Sequence, residues 1–431
     1  ALAAAADAPT RQPLLDELVG QVGGGGSTPA QRHLALLALG EMGRQLDLSS
    51  VPDLDSLLMA TFEGGQEEEK TAAAYALGHL AVGNLPAYLP GILAALGESR
   101  HQYLLLAALK EVIVCHAADP SLDFSAHVDE VLPHMYRHCE TPEEGVRNMV
   151  AECLGALAAM HPEKLLPGLL KLAAEGAGDA FMRWTIVTAL KYCVSHGGGG
   201  GGGGAGDRCT AELAPLMPQF LAMLRDEDLD VRRACLLLVN AAAHHQPLLV
   251  AELVGPEVLP VVCETVELRL ERVVDLGPFK HKVDDGLPLR KAALAVADTV
   301  LDTLPERMDL GAFLPFLATG LADAQADVQQ LCHQILVKIC NYQPGAVMGS
   351  LVRLIEPLEK TINKKVKDSQ VGTEVERAND LIRSALRAVV AIKMIEDASS
   401  SREFTQFMER VEKKGSDKTQ AMLQAIEAEW K

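Results

Sequence analysis

The sequence predicts an all-α chain of stacked helical hairpins with a single β-hairpin inserted, and three observations carry that expectation. Hydrophobic residues make up 48 % of the 431, but aromatic residues only 4 %. The core vocabulary is therefore Ala, Leu and Val, which suits packed helices better than a sandwich or barrel. An apolar pair followed by proline recurs along the chain. One short segment abandons the helical period and alternates with period two.

The recurring pattern reads Tyr88-Leu89-Pro90, Val131-Leu132-Pro133, Leu165-Leu166-Pro167, Leu216-Met217-Pro218, Val258-Leu259-Pro260 and Phe313-Leu314-Pro315, with looser copies at Pro13, Pro52 and Pro357. Successive prolines lie 39, 38, 43, 34, 51, 42, 55 and 42 residues apart, close to the roughly 40–47 residues of HEAT or armadillo units. The two long intervals hold insertions, Gly197 to Gly204 in one and Glu267 to Gly286 in the other. Between anchors each unit reads as two helices. Val231, Ala234, Cys235 and Leu238 fall at i, i+3, i+4 and i+7, and Val146, Val150, Cys153, Leu154 and Leu157 repeat that stripe. Helix starts are marked by Thr28-Pro29-Ala30-Gln31 and Thr141-Pro142-Glu143-Glu144, which read as capping boxes with Pro in the first turn. Asp230-Val231-Arg232 resembles the opening of the inner helix in many HEAT repeats. The expectation is a HEAT-repeat superhelix (α-solenoid) of about nine hairpins with a continuous core and a concave surface.

Three segments are expected: HEAT repeats over 1–246, C-terminal HEAT repeats over 247–399 and a helical tail over 400–431. Within the first, the stretches 23–26 and 197–206 hold 13 of the 36 glycines. Such runs bury no side chain and lose the most backbone entropy on ordering, so they read as flexible loops. No Lys-Ser or Lys-Thr follows them, which separates them from phosphate-binding loops.

Asp and Glu outnumber Lys and Arg by 58 to 39, a formal net charge of -19. That field repels phosphate backbones and attracts basic partners, so nucleic acid is not an expected partner. No apolar run approaches the roughly 18 residues of a membrane span, and no membrane partner is expected. Ala1-Leu2-Ala3 offers neither an initiator Met nor a basic stretch before an apolar run, so the chain reads as the middle of something longer, without a secretory signal. The nine cysteines are dispersed without a C-x-x-C pair, as reduced thiols buried in helices would be, and an intracellular location, in cytoplasm and nucleus, is expected.

Candidates for chemistry are few. His134 and His138 lie four apart beside Cys139, a spacing that suits two metal ligands, but no third ligand is recognisable nearby. His244-His245 falls at a helix end, where an imidazolium meets the negative pole of the dipole. Asp284-Asp285 reads as a solvated turn rather than an acid–base pair. No nucleophile elbow, zinc-protease, Walker or dinucleotide motif is present, so the expectation is a non-enzyme without cofactor or metal.

The segment that breaks the helical rule carries more information. Apolar and charged residues alternate in Val266-Glu267-Leu268-Arg269-Leu270-Glu271 and again in Phe279-Lys280-His281-Lys282-Val283-Asp284, with Leu276-Gly277-Pro278 as the turn between them. Asp285-Gly286 ends the excursion and Pro288 opens the next helix. The reading is a β-hairpin at about 267–284, inserted between the two helices of one unit. A lone two-stranded hairpin is marginal in water. Leu276, Phe279 and Val283 therefore either form a contact surface, rimmed by Lys280 and Lys282, or fold back on the chain's own helices.

The stretch from Val274 to Ala293 resembles the hairpin segment of the cullin-associated, neddylation-dissociated proteins, also called TATA-binding-protein-interacting proteins. Leu34–Gly43, Tyr75–Pro90, Gln102–Leu106 and Glu143–Gly155 resemble the same family in order, over its C-terminal part. Departures are the glycine tract from Gly197, Lys282 and Pro288 near the hairpin, and the tail after Ser399. The resemblance implies a scaffold that wraps an unmodified cullin with its RING subunit, grips the cullin N-terminal domain, and competes there with the substrate-receptor adaptor. It assigns cullin contact to the hairpin residues Val274, Leu276, Gly277, Pro278, Phe279, Lys280, His281, Lys282 and Val283. Members of that family are far longer, which makes the N-terminal part of the same protein, supplied as a separate chain, a further candidate partner. From the residues alone, a karyopherin-like carrier of basic cargo or a phosphatase-type HEAT scaffold remains open, although the two Trp, Trp184 and Trp430, form no Trp-Asn ladder.

Overall fold

The structure, a computed structural model, describes residues 8–98, 101–119, 121–175, 179–197, 205–276, 279–364, 372–414 and 416–430. The chain divides into two compact units, Ala1–Leu216 and Met217–Lys431. Each is an α-solenoid of antiparallel helix pairs.

In the first unit the pairs are α1 (Ala8–Gly23) with α2 (Pro29–Gly43), α3 (Leu54–Gly64) with α4 (Glu67–Gly83), and α5 (Leu85–Glu98) with α6 (Gln102–Ala118). Then come α7 (Val128–His138) with α8 (Glu144–Met160) and α9 (Pro162–Glu175) with α10 (Ala180–Gly197), followed by α11 (Ala205–Leu213). Helices α2, α4, α6, α8 and α10 stack side by side as one layer, and the first helix of each pair lies in the other. The core is the seam between layers. Leu36, Leu77, Leu109, Leu154 and Leu190, one from each stacked helix, are fully buried.

Helix stacking is closest where side chains vanish. A Cβ on Gly155 of α8 would sit 2.5 Å from the Ala189 carbonyl oxygen and 2.6 Å from Tyr192 Cβ of α10, so only glycine lets these two helices meet. The glycine tract is shorter as a loop than expected, because Gly197 still belongs to α10 and Ala205–Gly206 open α11. Residues 198–204 lie outside the described residues.

The second unit continues with α12 (Met217–Leu221) and α13 (Leu229–His245), then α14 (Leu259–Val266) and α15 (Leu287–Thr303), with strands β1 (Glu271–Leu276) and β2 (Phe279–Asp284) between them. It closes with α16 (Leu310–Leu321) and α17 (Ala326–Tyr342), α18 (Pro344–Ile362) and α19 (Gly372–Lys393), and α20 (Arg402–Lys414) and α21 (Asp417–Glu429). Among the described residues the two strands are the only sheet, and no helix is long and apolar enough to cross a membrane. Eight cysteines are buried and Cys115 is half-buried, all as free thiols.

Local sequence logic holds at some helix starts and fails at others. Thr28 and Gln31 form the expected reciprocal box, Gln31 N–H donating to Thr28 Oγ1 at 3.3 Å and Thr28 N–H to Gln31 Oε1 at 2.8 Å. Thr141 does not cap. Helix α8 begins at Glu144, because the buried Arg147 guanidinium claims the Thr141 and Pro142 carbonyls at 2.7 and 2.8 Å and holds that turn outside the helix. Helix α13 is capped by Asp228, which accepts from Asp230 and Val231 N–H, leaving Asp230 in the first turn. The recurring prolines take two places: Pro218 and Pro260 are second in α12 and α14, whereas in α1, α5, α7, α9 and α16 the proline is the sixth residue. There each removes one ladder N–H just inside the first turns.

Candidate functional site: the projecting hairpin and its buried base

The hairpin joins the paired helices α14 and α15. Its return strand falls where the alternation of Phe279 to Asp284 places it, but its outgoing strand does not. Val266 ends α14, the Leu268 N–H bonds back to the Thr265 carbonyl at 3.0 Å, and pairing begins only at Glu271. The reason lies in Arg269, whose Nη1 donates to the carbonyls of Val266 (2.9 Å) and Leu268 (3.1 Å). The period-two run from Val266 is thus a helix exit tied down by its own arginine.

Pairing is antiparallel, with Glu271 opposite Asp284, Arg272 opposite Val283, Val273 opposite Lys282, Val274 opposite His281, Asp275 opposite Lys280 and Leu276 opposite Phe279. Opposed residues share a face and alternate rungs share it too. Val274, His281 and Val283 therefore belong to one set of rungs, with Arg272. Val273, Lys280 and Lys282 belong to the other, with Glu271 and Asp275. Leu276 and Phe279 close the ribbon as its last pair; Gly277 and Pro278 lie outside the described residues.

Lys280, His281 and Lys282 are exposed, Val283 is 37 % exposed and Val274 is half-buried. Val273, absent from the residues the sequence singles out, is 60 % exposed. Each set of rungs thus carries one exposed valine, Val273 on one and Val283 on the other. Lys282 lies 3.7 Å from Glu271 and Arg272 reaches Asp285 at 2.5 Å. These exposed pairs add little to stability.

The base is different. Arg290, in the first turn of α15, has no exposed side-chain surface. Its guanidinium donates to the Leu268 carbonyl (2.8 Å) and to Asp284 Oδ2 (2.7 Å), and lies 3.0 Å from Asp323 Oδ2. Asp323, in the turn after α16, is equally buried and also takes Arg269 at 2.7 Å. Asp284 Oδ1 accepts the N–H groups of Leu270 and Gly286 at 3.3 and 3.0 Å. Asp284 is therefore no solvated turn. The Arg290 hydrogen bond holds its carboxyl below the usual aspartate range, despite the opposing effect of burial. Gly286 is required here, since a Cβ would lie 2.9 Å from the Leu268 oxygen. The sequence carried one sign of this cluster: Arg290 occupies a place on the stripe it shares with Ala293, Ala297 and Val300, where only apolar residues are expected.

The other sequence candidates do not converge. His138 is buried at the end of α7, the Cys139 thiol donates to the Met135 carbonyl, and burial lowers the pKa of both His134 and His138. Among the described residues no group of three or more His, Cys, Asp or Glu is placed to hold a metal ion. His244 and His245 stack edge to face in the last turn of α13, 4.7 Å apart.

Comparison with solved structures bears on the fold alone. A chain from the Kap95p–RanGDP structure superposes with TM-score 0.56 at 14 % identity, over 97 % of this chain and 51 % of that one. The karyopherin Kap121p bound to the extreme C-terminus of the phosphatase Cdc14p gives 0.54 at 13 %, over 99 % and 42 %. A family model described as TATA-binding protein interacting (TIP20) matches residues 249–412, which include the hairpin and its base. Cullin-associated NEDD8-dissociated protein 1 of Arabidopsis thaliana is 42 % identical over 387 residues, 89 % of this chain and 31 % of that protein. Cullin-associated NEDD8-dissociated protein 2 of Mus musculus is 37 % identical, over 85 % and 29 %. The Emericella nidulans protein named Cullin-associated NEDD8-dissociated protein 1, C-terminal part, is 32 % identical, over 83 % and 33 %. The chain spans about a third of the length of these relatives. With ordered similarity along most of its length and a matching family model across the hairpin, the chain belongs to the family of cullin-associated NEDD8-dissociated, or TATA-binding-protein-interacting, proteins.

Proposed function

We propose that this chain is the cullin-gripping part of an assembly factor for cullin–RING ubiquitin ligases, acting in the cytoplasm and nucleus without bond chemistry of its own. It binds the N-terminal domain of a cullin that lacks the Nedd modification, and its hairpin takes ground needed by the substrate-receptor adaptor. Chain and adaptor then weaken each other on the cullin, and receptors exchange faster. The observation that carries this reading is the hairpin itself. It leaves Val273 and Val283 exposed on opposite sets of rungs, and exposed apolar surface of this kind marks a contact site. The names of the relatives supply the partner.

The test is adaptor release from a cullin–RING complex, followed by fluorescence as the chain is added. The expected result is an adaptor dissociation rate that rises with chain concentration. Phe279→Ala and Val273→Ser/Val283→Ser should lose most of that acceleration, because apolar anchors of this size contribute roughly 1.5–3 kcal/mol each when buried. An adaptor release rate unchanged at saturating wild-type chain would overturn the proposal.

A further inference from the structure

We propose that buried Arg290 and Asp323, with Asp284 beside them and exposed Arg269 closing the cluster on its solvent side, hold the hairpin in one pre-set direction, and that this presentation governs how fast the hairpin engages its partner. The inference rests on the reading above that the hairpin is the binding element.

Exposed residues on both sets of rungs leave the ribbon little packing to aim it, and a free two-stranded ribbon is marginal by itself. Whatever aims it must act at the base. There Arg290 distributes its donors over three separate segments: the Leu268 carbonyl on the way out of α14, the Asp284 carboxylate at the end of β2, and Asp323 in the turn between α16 and α17. The first two are the two legs of the hairpin. The third belongs to the next helix pair, so the hairpin is fastened to two successive repeats. Asp323 is itself fixed: its Oδ1 accepts the Gln325 N–H at 2.8 Å, and its Oδ2 forms an ion pair with the Arg269 guanidinium at 2.7 Å.

The buried Arg290 charge is matched by Asp284 and Asp323, and Arg269 pairs with Asp323 from the solvent side, so no charge in the cluster is buried without a partner. Buried ion pairs of this kind add little stability over well-packed apolar residues, and their best-attested service is to fix one arrangement among several. The planar guanidinium suits that service, since its fixed fork reaches acceptors on separate segments at once, as the single ammonium of lysine does not. A binding element already aimed loses less freedom on docking and needs fewer encounters to seat. Arg290 and Asp284 are positioning residues in this scheme and need not touch the partner.

The test uses the full 431-residue chain with Cys115→Ser, and spin labels at Lys282→Cys on the hairpin and Glu306→Cys after α15. The distance distribution between labels should be narrow. Arg290→Lys, which keeps the charge and loses the fork, should broaden it at least twofold, with cooperative thermal unfolding retained. Asp284→Asn, which touches only one leg, should broaden it less and carries the test where Arg290→Lys does not fold. Association with a cullin N-terminal domain should slow about tenfold in Arg290→Lys, with dissociation changed less. An unchanged distribution in a folded variant overturns the clamp, and so does broadening accompanied by general loosening of α13–α17 in hydrogen exchange. A wild-type chain that fails to bind the cullin domain overturns the proposed function and the kinetic half of this inference, while the label distances still decide the clamp.

Discussion

At the residue scale, two titratable groups make opposite demands on pH. His79 of α4 lies against the Tyr75 ring, 4.0 Å between centroids, and within 3.7 Å of both Glu41 and Glu111. Burial opposes a charge there, but the Cys115 sulfur at 3.9 Å and the Glu111 carboxylate outweigh it and raise the imidazole to about 9. A folded-state pKa above the ordinary 6.5 means that His79 stabilises the fold fully below that pH and that its contribution fades as pH rises through about 9. An NMR titration should place its midpoint near that upper value, and His79→Gln should flatten the stability profile between the two; a midpoint at or below 6.5 would contradict this. Asp284 behaves in the reverse sense. Its carboxyl is lowered from 3.8, so its hold on Arg290 and the backbone is present above that pH and is lost as acid protonates it. Amides of residues 270 and 286 should therefore lose exchange protection on acidification before those of α15.

At the scale of elements, the stacked layer is where small changes matter most. Gly155→Ala forces a methyl against the Ala189 carbonyl and Tyr192 and should destabilise the first unit by about 1–3 kcal/mol, read by denaturant unfolding. Gly25→Ala, in a turn with open space, should change almost nothing. The same contrast explains what could be read in advance. Helical pairs, their stripes and the hairpin's return strand follow from periodicity, which is local, and Val231, Ala234, Cys235 and Leu238 are all buried as their spacing requires. The outgoing strand was misplaced because Val266 to Glu271 alternates by chance while Arg269 ties it to the helix end. Thr141 fails to cap for a similar reason, an arginine later in the chain claiming its carbonyl. Asp323 is 33 residues from Arg290, and no local pattern links them. Val273 escaped notice because exposure on a ribbon depends on what covers it, which only tertiary structure decides.

At the scale of the whole molecule, the proposed reading separates two tasks that a longer relative would join. As the part proposed to grip the cullin N-terminal domain, residues 1–431 alone should bind there and yet leave the rate of Nedd modification nearly unchanged at saturation. A longer relative with both ends on one chain should bind more tightly, through the effective concentration that linked ends give each other. Strong inhibition of modification by this chain alone would refute the division. The hairpin has a further consequence, for the chain's behaviour in concentrated solution. A ribbon with two unpaired edges is a template onto which a second molecule can add a strand. Here exposed Lys280 and Lys282 stand along β2, while β1 carries exposed Glu271, Arg272 and Asp275, and two such ribbons approaching β2 to β2 bring lysines together. Replacing Lys280 and Lys282 with Val should remove that guard, and sedimentation velocity should then find dimers and larger species where the native chain stays monomeric.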